Sequence, residues 1–205
     1  MLTEPFWAFR NRIFGVKSPS NLNVNLPGLH ELIPTDFVSQ AHPFLFTDES
    51  PYTQGYTLAT TVHLDWGASA TVSHFQYDSA QNAYLRYCGP GIKATKWLTF
   101  SSFPTADDHN VEHLVPLAFA NVIVQRVPYV LETGTSVMSI PQFVGQGNAD
   151  IFIGGHYIPG YWVRQSILEP TVYFDDHGEE LVFNRGKTYI AQFPTEAVCA
   201  VQGDE

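Results

Sequence analysis

The chain has 205 residues, 10 Lys and Arg against 20 Asp and Glu, and a formal charge of −10. Its 44% hydrophobic and 14% aromatic residues supply a packed core and exclude a disordered chain. The twofold excess of acids over bases argues against a grip on phosphate backbones, so no nucleic-acid partner is expected.

The opening MLTEPFWAFRNRIFGV carries two Arg and interrupted hydrophobicity, which does not read as a secretory signal. No apolar run reaches the roughly 18 residues of a membrane span. The segment 4–14, EPFWAFRNRIF, predicts a short helix with Pro5 near its start, and LPGLHELI at 26–33 predicts another. Both belong to a loop-rich segment, 1–53, expected to pack on the core.

From residue 54 the dominant period is two. In YTLATTVHL, the residues Tyr56, Leu58, Thr60, Val62 and Leu64 share a mostly apolar face, and Thr57, Ala59, Thr61 and His63 a wetter one. ATVSHFQY (70–77) and YLRYC (84–88) flank the turn residues DSAQN and predict a hairpin. The run 114–124 reads as a loop, broken by Pro116, that feeds a buried strand. Further strands are predicted at 121–131, 136–143, 150–153, 161–163, 171–174, 179–183 and 188–193. The segments VGQGN, GGHYIPG, DDHG and NRG punctuate them. DDHG is the strongest hairpin signal, with Gly178 suited to positive φ. PTEAVCAV predicts a last helical turn. The expected fold is therefore mainly β (α+β): antiparallel sheets packed as a sandwich-like core with a few short helices, in which 54–205 forms one antiparallel β domain.

Cys88 and Cys199 leave two alternatives open. A bridge would close a loop of about 110 residues and contribute about 4–5 kcal/mol; otherwise both are buried free thiols.

Several segments bear on chemistry. HNVEH at 109–113 has the H-x-x-E-H spacing, in which His109 and His113 on one helix would bind zinc and Glu112 would act as general base. Pro116 limits any such helix, so a solvated loop is the competing reading. DDHGEE at 175–180 gathers four acids and a His, but a β-turn converges poorly on calcium and a solvated turn is favoured. GQGNADIFIGG lacks the Lys and following helix of a phosphate loop. No Ser stands in a G-x-S-x-G elbow. No catalytic residue is assigned and no cofactor is implied.

The candidate binding residues are Asn21, Arg86 and Trp162, with Trp97 and Tyr161 as further exposed aromatics. Arg86 lies among Tyr84, Tyr87 and Phe75, where a guanidinium stacks on rings or pairs with an acid such as Asp78. Asn121 and Asn184 head strands and are expected to satisfy turn backbone groups.

Residues 121–195 carry an ordered set of spaced glycines, amides and aromatics: Asn121, Gly145, Gly147, Gly154, Gly160, Trp162, Gly178, Asn184, Gly186, Thr188 and Thr195. In that order they resemble the C-terminal part of the YerB-like bacterial lipoproteins, a family of unknown activity. Tyr189 stands where the family usually has Trp, and Phe193 precedes Pro194. Upstream, FQYDSAQNAYLRY is similar to the family's W-x-Y-D…Y-x-R strand pair, with Phe75 in place of Trp. RNRIFGVKSPSN is similar to its R…A-P-H-N segment, with Ser20 in place of His. The resemblance implies an extracytoplasmic, envelope-anchored location, with a lipoprotein leader and an N-terminal domain preceding a region like this one. It implies membrane attachment through an anchor that this chain does not carry.

The expected function is an extracytoplasmic, envelope-associated binding or interaction domain whose partner is a protein or a cell-envelope component. Two alternatives stand beside it: a structural or assembly subunit at the cell surface, in which self-association is expected, and a metal-dependent hydrolase built on His109, Glu112 and His113.

Overall fold

The computed structural model describes residues 8–10, 22–36, 38, 42–66, 72–88, 95–96, 98–100, 114–131 and 139–203. The chain divides into two compact units, Met1–Gln40 and Ala41–Glu205.

In the first unit, β1 (Ala8–Arg10) pairs antiparallel with β2 (Leu22–Val24), Phe9 opposite Asn23. The helix predicted over 4–14 is thus a strand where it is described. Phe9 favours extended backbone, and the partner strand satisfies it. The helix predicted at 26–33 is present as α1 (Leu26–His30). Asn25 caps it: its Oδ1 accepts from Gly28 N at 3.3 Å, and Pro27 sits in the first turn, where a missing N–H costs nothing.

The second unit contains, in chain order, β3 (Leu45–Thr47), β4 (Thr57–Leu58), β5 (Thr61–Asp65), β6 (Ser73–Asp78), β7 (Ala83–Cys88), β8 (Thr95–Lys96), β9 (Leu98–Phe100), β10 (Leu114–Pro116), β11 (Ala118–Phe119) and β12 (Asn121–Val127). There follow β13 (Tyr129–Leu131), β14 (Ser139–Pro141), β15 (Gly145–Ile153), β16 (His156–Arg164), β17 (Val172–Asp175), β18 (Val182–Asn184), β19 (Thr188–Pro194) and β20 (Val198–Gln202). Among the described residues no helix is long and apolar enough to cross a membrane.

Two large sheets form the body. The first has the order β17-β16-β15-β12-β19, with β4 on β16; the second has β11-β7-β6-β5-β20, with β8 on β7. The sheets are antiparallel throughout except that β12 pairs parallel with β19, and a separate two-stranded pair, β3 with β18, is also parallel.

One core lies between the two sheets. It joins Val62, Leu64, Phe75 and Tyr84 of the second sheet to Val122, Val124, Phe152 and Phe193 of the first. A second core covers the opposite face of the first sheet, where Ile123, Ile151, Ile158 and Trp162 meet Tyr52, Leu181 and Phe183. The first sheet is therefore buried on both faces near β12. This explains why β12 is buried almost continuously along its length rather than at every second residue.

Three sequence expectations change here. The strand drawn through Tyr56–Leu64 is two strands: β4 joins the first sheet and β5 the second, and the chain crosses between them at Ala59 and Thr60. The crossing shifts the alternation, so Ala59 is buried and Leu58 is 44% exposed. The glycines of VGQGN do not form a turn but lie inside β15, and PTEAVCAV turns at Pro194–Ala197 and continues as β20 rather than as a helical turn. The predicted 70–88 hairpin is present as β6–β7, its turn closed by Asn82 at φ 47°.

Candidate functional site

Strand alternation puts one set of side chains of the first sheet on the side facing the second sheet. Register aligns Val122 with Phe152 and Tyr157, and aligns Val124 with Asp150 and Pro159; Tyr161 stands opposite Asn148 in the next row. The second sheet covers Val122, Val124 and Phe152, which have no exposed surface. Beyond them the face is open, and the residues in the same phase become polar: Arg126, Asn148 and Asp150. Pro159 falls between the stretches of β16 that pair with β4 and with β17, where a strand tolerates a missing N–H.

A fixed trio stands at the start of this open face. Asp150 Oδ2 accepts from Arg126 Nε at 2.9 Å and lies 2.8 Å from Arg126 Nη2, while Asp150 Oδ1 accepts from the Tyr157 hydroxyl at 3.0 Å. The guanidinium also donates through Nη1 to the Ala197 carbonyl and lies 5.1 Å from the centre of the Phe193 ring. Each partner thus has its charge matched and its direction set.

Burial, reinforced by the charge of Asp150, pushes the Tyr157 hydroxyl up to about 12. The same two causes push the Cys199 thiol up to about 12, against a smaller opposing effect of Arg126. At neutral pH Tyr157 is a hydrogen-bond donor and Cys199 a protonated, poorly nucleophilic thiol. Cys199 is a free cysteine.

Three adjoining hollows run along the face. One of about 670 Å³ lies among Arg126, Asn148, Asp150, Thr195 and Cys199. The next, about 380 Å³, shares Asn148 and Asp150 and adds Tyr157, Pro159 and Tyr161. The third, about 410 Å³, shares Tyr157, Pro159 and Asp176 with the second and reaches Tyr56 and His177. Tyr161 stacks on Phe174 of the neighbouring strand, centroids 5.1 Å apart and planes 15° apart. The result is a groove with hydrogen-bonding groups at one end and rings along its length, a composition suited to recognition.

The sequence-predicted residues fall in different places. Tyr161 lies in the groove. Trp162, expected to be exposed, is 1% exposed and belongs to the opposite core, because strand alternation turns it away from Tyr161. Its indole N–H donates to the Arg126 carbonyl at 2.8 Å. Arg86 faces the core between the sheets: it lies 4.8 Å from the centre of the Tyr189 ring and its Nη2 donates to Ser73 Oγ at 3.3 Å. Asp78, its expected acid partner, accepts from Ala80 N and Gln81 Nε2 in its own turn. Asn21, Trp97 and the HNVEH residues His109, Glu112 and His113 lie outside the described residues.

Asn121 fulfils its expected backbone role: Oδ1 accepts from Asn184 N and Nδ2 donates to Asn184 O, each at 2.9 Å. In the 175–180 turn, Asp175, Asp176 and His177 approach within 4.8 Å of one another. Asp175 is buried rather than solvated, its Oδ1 accepting from His177 N and Glu179 N to close the turn, with Gly178 at φ 84°.

Arg126, Asp150 and Tyr157 were not marked by the sequence reading. The available signal was phase: Arg126 follows Val122 and Val124 at spacing two, and Asp150 precedes Phe152, so both charges lie on the core-facing side of their strands.

Residues 62–190 match the family described as Protein of unknown function (DUF3048) C-terminal domain. The chain belongs to this family. The YerB-like resemblance drawn from residues 121–195 agrees with it. The crystal structure of YerB protein from Bacillus subtilis shares the fold of the DUF3048 chain at 17% identity, with a TM-score of 0.61 over 95% of this chain. The chain spans 59% of the length of that one. No curated protein matches it.

Proposed function

We propose that this DUF3048 domain is an extracytoplasmic, envelope-associated binding module, and that the groove along β15 and β16 holds its partner, a protein or a cell-envelope component. One observation carries the proposal: the first sheet extends past its cover and exposes an ordered hydrogen-bonding trio, Arg126, Asp150 and Tyr157, beside three connected hollows. The trio holds its own geometry, so a ligand meets preset donors and acceptors with little ordering cost. Tyr157 of the trio and Cys199 beside it keep their protons at neutral pH, which suits recognition better than nucleophilic attack. The envelope location rests on the YerB-like resemblance.

Cosedimentation with isolated cell envelopes tests the reading. Asn148→Arg and Pro159→Arg fill the groove and are expected to weaken binding at least tenfold, while Glu169→Arg, away from the groove, leaves it unchanged. Equal binding by all three variants would reject the groove.

A further inference from the structure

The outward face of the second sheet carries a feature independent of the groove. His63 of β5 and His74 of β6 are direct cross-strand partners. Their rings meet with centroids 4.4 Å apart and planes at 60°, and the two Nδ1 atoms lie 2.9 Å from each other. Neither ring belongs to the core, since alternation sends Val62, Leu64 and Phe75 inward and these two histidines outward.

From this close approach of two imidazole nitrogens we infer a surface site for a divalent transition metal of the copper(II) or nickel(II) type, with His63 and His74 as cis ligands through Nδ1.

The distance is the first argument. With metal–nitrogen bonds of about 2.0 Å, two ligands subtending 90° stand about 2.8–2.9 Å apart, and two at the tetrahedral angle about 3.3 Å. The observed 2.9 Å is the hydrogen bond between the two rings, and it equals the separation of cis ligands on tetragonal copper(II) or nickel(II), so that turning each ring, with little change in that separation, brings both nitrogens onto one ion; imidazole is a favoured donor for both. The scaffold is the second. Both ligands stand on paired strands of a six-stranded sheet, so their separation is fixed by register. Electrostatics is the third. Asp65, two residues along on the same face, acts on His63 through its charge, in a chain with a net charge of −10. Access is the fourth, and it comes from one side: Ala200, an exposed residue, is the partner of His63 on β20 and presents only a methyl group, while Tyr87 of β7 flanks His74 on the other side.

The proton balance closes. In the metal-free pair one Nδ1–H donates to the other Nδ1; moving that proton to the Nε2 of the same ring frees both lone pairs for the metal. No net proton is released and no redox step is involved.

The test is titration of the full chain with copper(II), followed by calorimetry and electron paramagnetic resonance. The expected result is a saturable site of one ion per chain with hyperfine structure from nitrogen ligands. His63→Ala and His74→Ala should each weaken it at least tenfold, and His177→Ala should leave it unchanged. The inference is overturned by the absence of a saturable site, by binding that survives both His63→Ala and His74→Ala, or by loss in His177→Ala, which would move the ion to the acidic turn. Ring resonances of the wild-type chain provide a readout that does not depend on the variants folding. Substoichiometric copper should broaden His63 and His74 first, and earlier broadening of His156 or His177 would overturn the assignment.

Discussion

The indole N–H of Trp162 donates to the main-chain carbonyl of Arg126 at 2.8 Å, reaching across β15 over Gly147. The β12–β15 register ends at Gln125 and Ala149, so the Arg126 carbonyl lies just past its ladder and takes the indole as donor instead. One side of the sheet thus anchors the backbone of the residue whose guanidinium orders the groove on the other side. Gly147 is required for the crossing: a Cβ there would lie 2.8 Å from both the Arg126 oxygen and Trp162 Nε1.

Gly147→Ala is therefore expected to destabilise the domain by about 1–3 kcal/mol through overpacking against backbone. Trp162→Phe should cost about 1–3 kcal/mol, since it leaves the Arg126 carbonyl without its donor. Urea unfolding of both variants is the check. Midpoints equal to wild type would show that the crossing contributes nothing.

Asp150→Asn removes the counter-charge of Arg126 while keeping the side-chain shape. The pair is mostly but not fully buried, so the expected cost is about 1–3 kcal/mol, below that of breaking a fully buried pair. The variant should also bring the Tyr157 hydroxyl back toward its ordinary value, because the Asp150 charge is the cause of the upward shift next to burial. Ultraviolet titration against a Tyr157→Phe control reads this directly, and an unchanged Tyr157 would count against the trio.

Tyr157 and Cys199 both hold their protons more tightly in the folded chain than in the unfolded one, with folded values of about 12. Tyr52, Tyr84 and Tyr173 are raised in the same direction by burial. Raised acids contribute stability that is complete below their unfolded values and lost as pH rises toward the folded ones. The urea midpoint is expected to be level around pH 8 and to fall steadily from about pH 9 to 12, the interval between unfolded and folded values. A midpoint that stays level to pH 11 would contradict the assignment.

Asn121 and Asn184 share the same buried corner but carry different energies. Asn121→Ala removes both of its hydrogen bonds to the Asn184 backbone and one to Thr188 Oγ1, and strands the buried Asn184 N–H; a loss of about 2–4 kcal/mol is expected. The Asn184 side-chain amide is buried without a partner among the described residues, so Asn184→Leu should be close to neutral or stabilising. Thermal unfolding of the two variants separates them, and equal losses would show that the Asn184 amide is satisfied.

Local signals were legible where a single turn or alternation decides the structure. DSAQN marked a hairpin that is present, whereas DDHG marked a tight turn held by a single bridge, Phe174 to Glu180, after which β18 pairs with β3 rather than with β17; Asn82 and Gly178 take the positive φ their turns need. The glycines of β15 misled, because Gly147 serves close packing rather than a turn. The aromatics of YWV could not be divided between groove and core until the phase of β16 was known: Tyr161 went to one side and Trp162 to the other. The trio was illegible for a different reason. Arg126, Asp150 and Tyr157 are brought together by the registers of three strands, and the groove exists because the second sheet stops short of the first. Both are properties of sheet assembly, which no single strand encodes.

The central claim is that the open face of the first sheet is where the partner sits. The most direct measurement places a photo-reactive benzoylphenylalanine at Asn148, which is exposed beside Asp150, and at Glu169 as a control, in cells producing the full-length protein. The account predicts a discrete cross-linked product from Asn148 that is lost when Pro159→Arg is added, and none from Glu169. Cross-linking from Glu169 alone, or an Asn148 product unaffected by filling the groove, would contradict it.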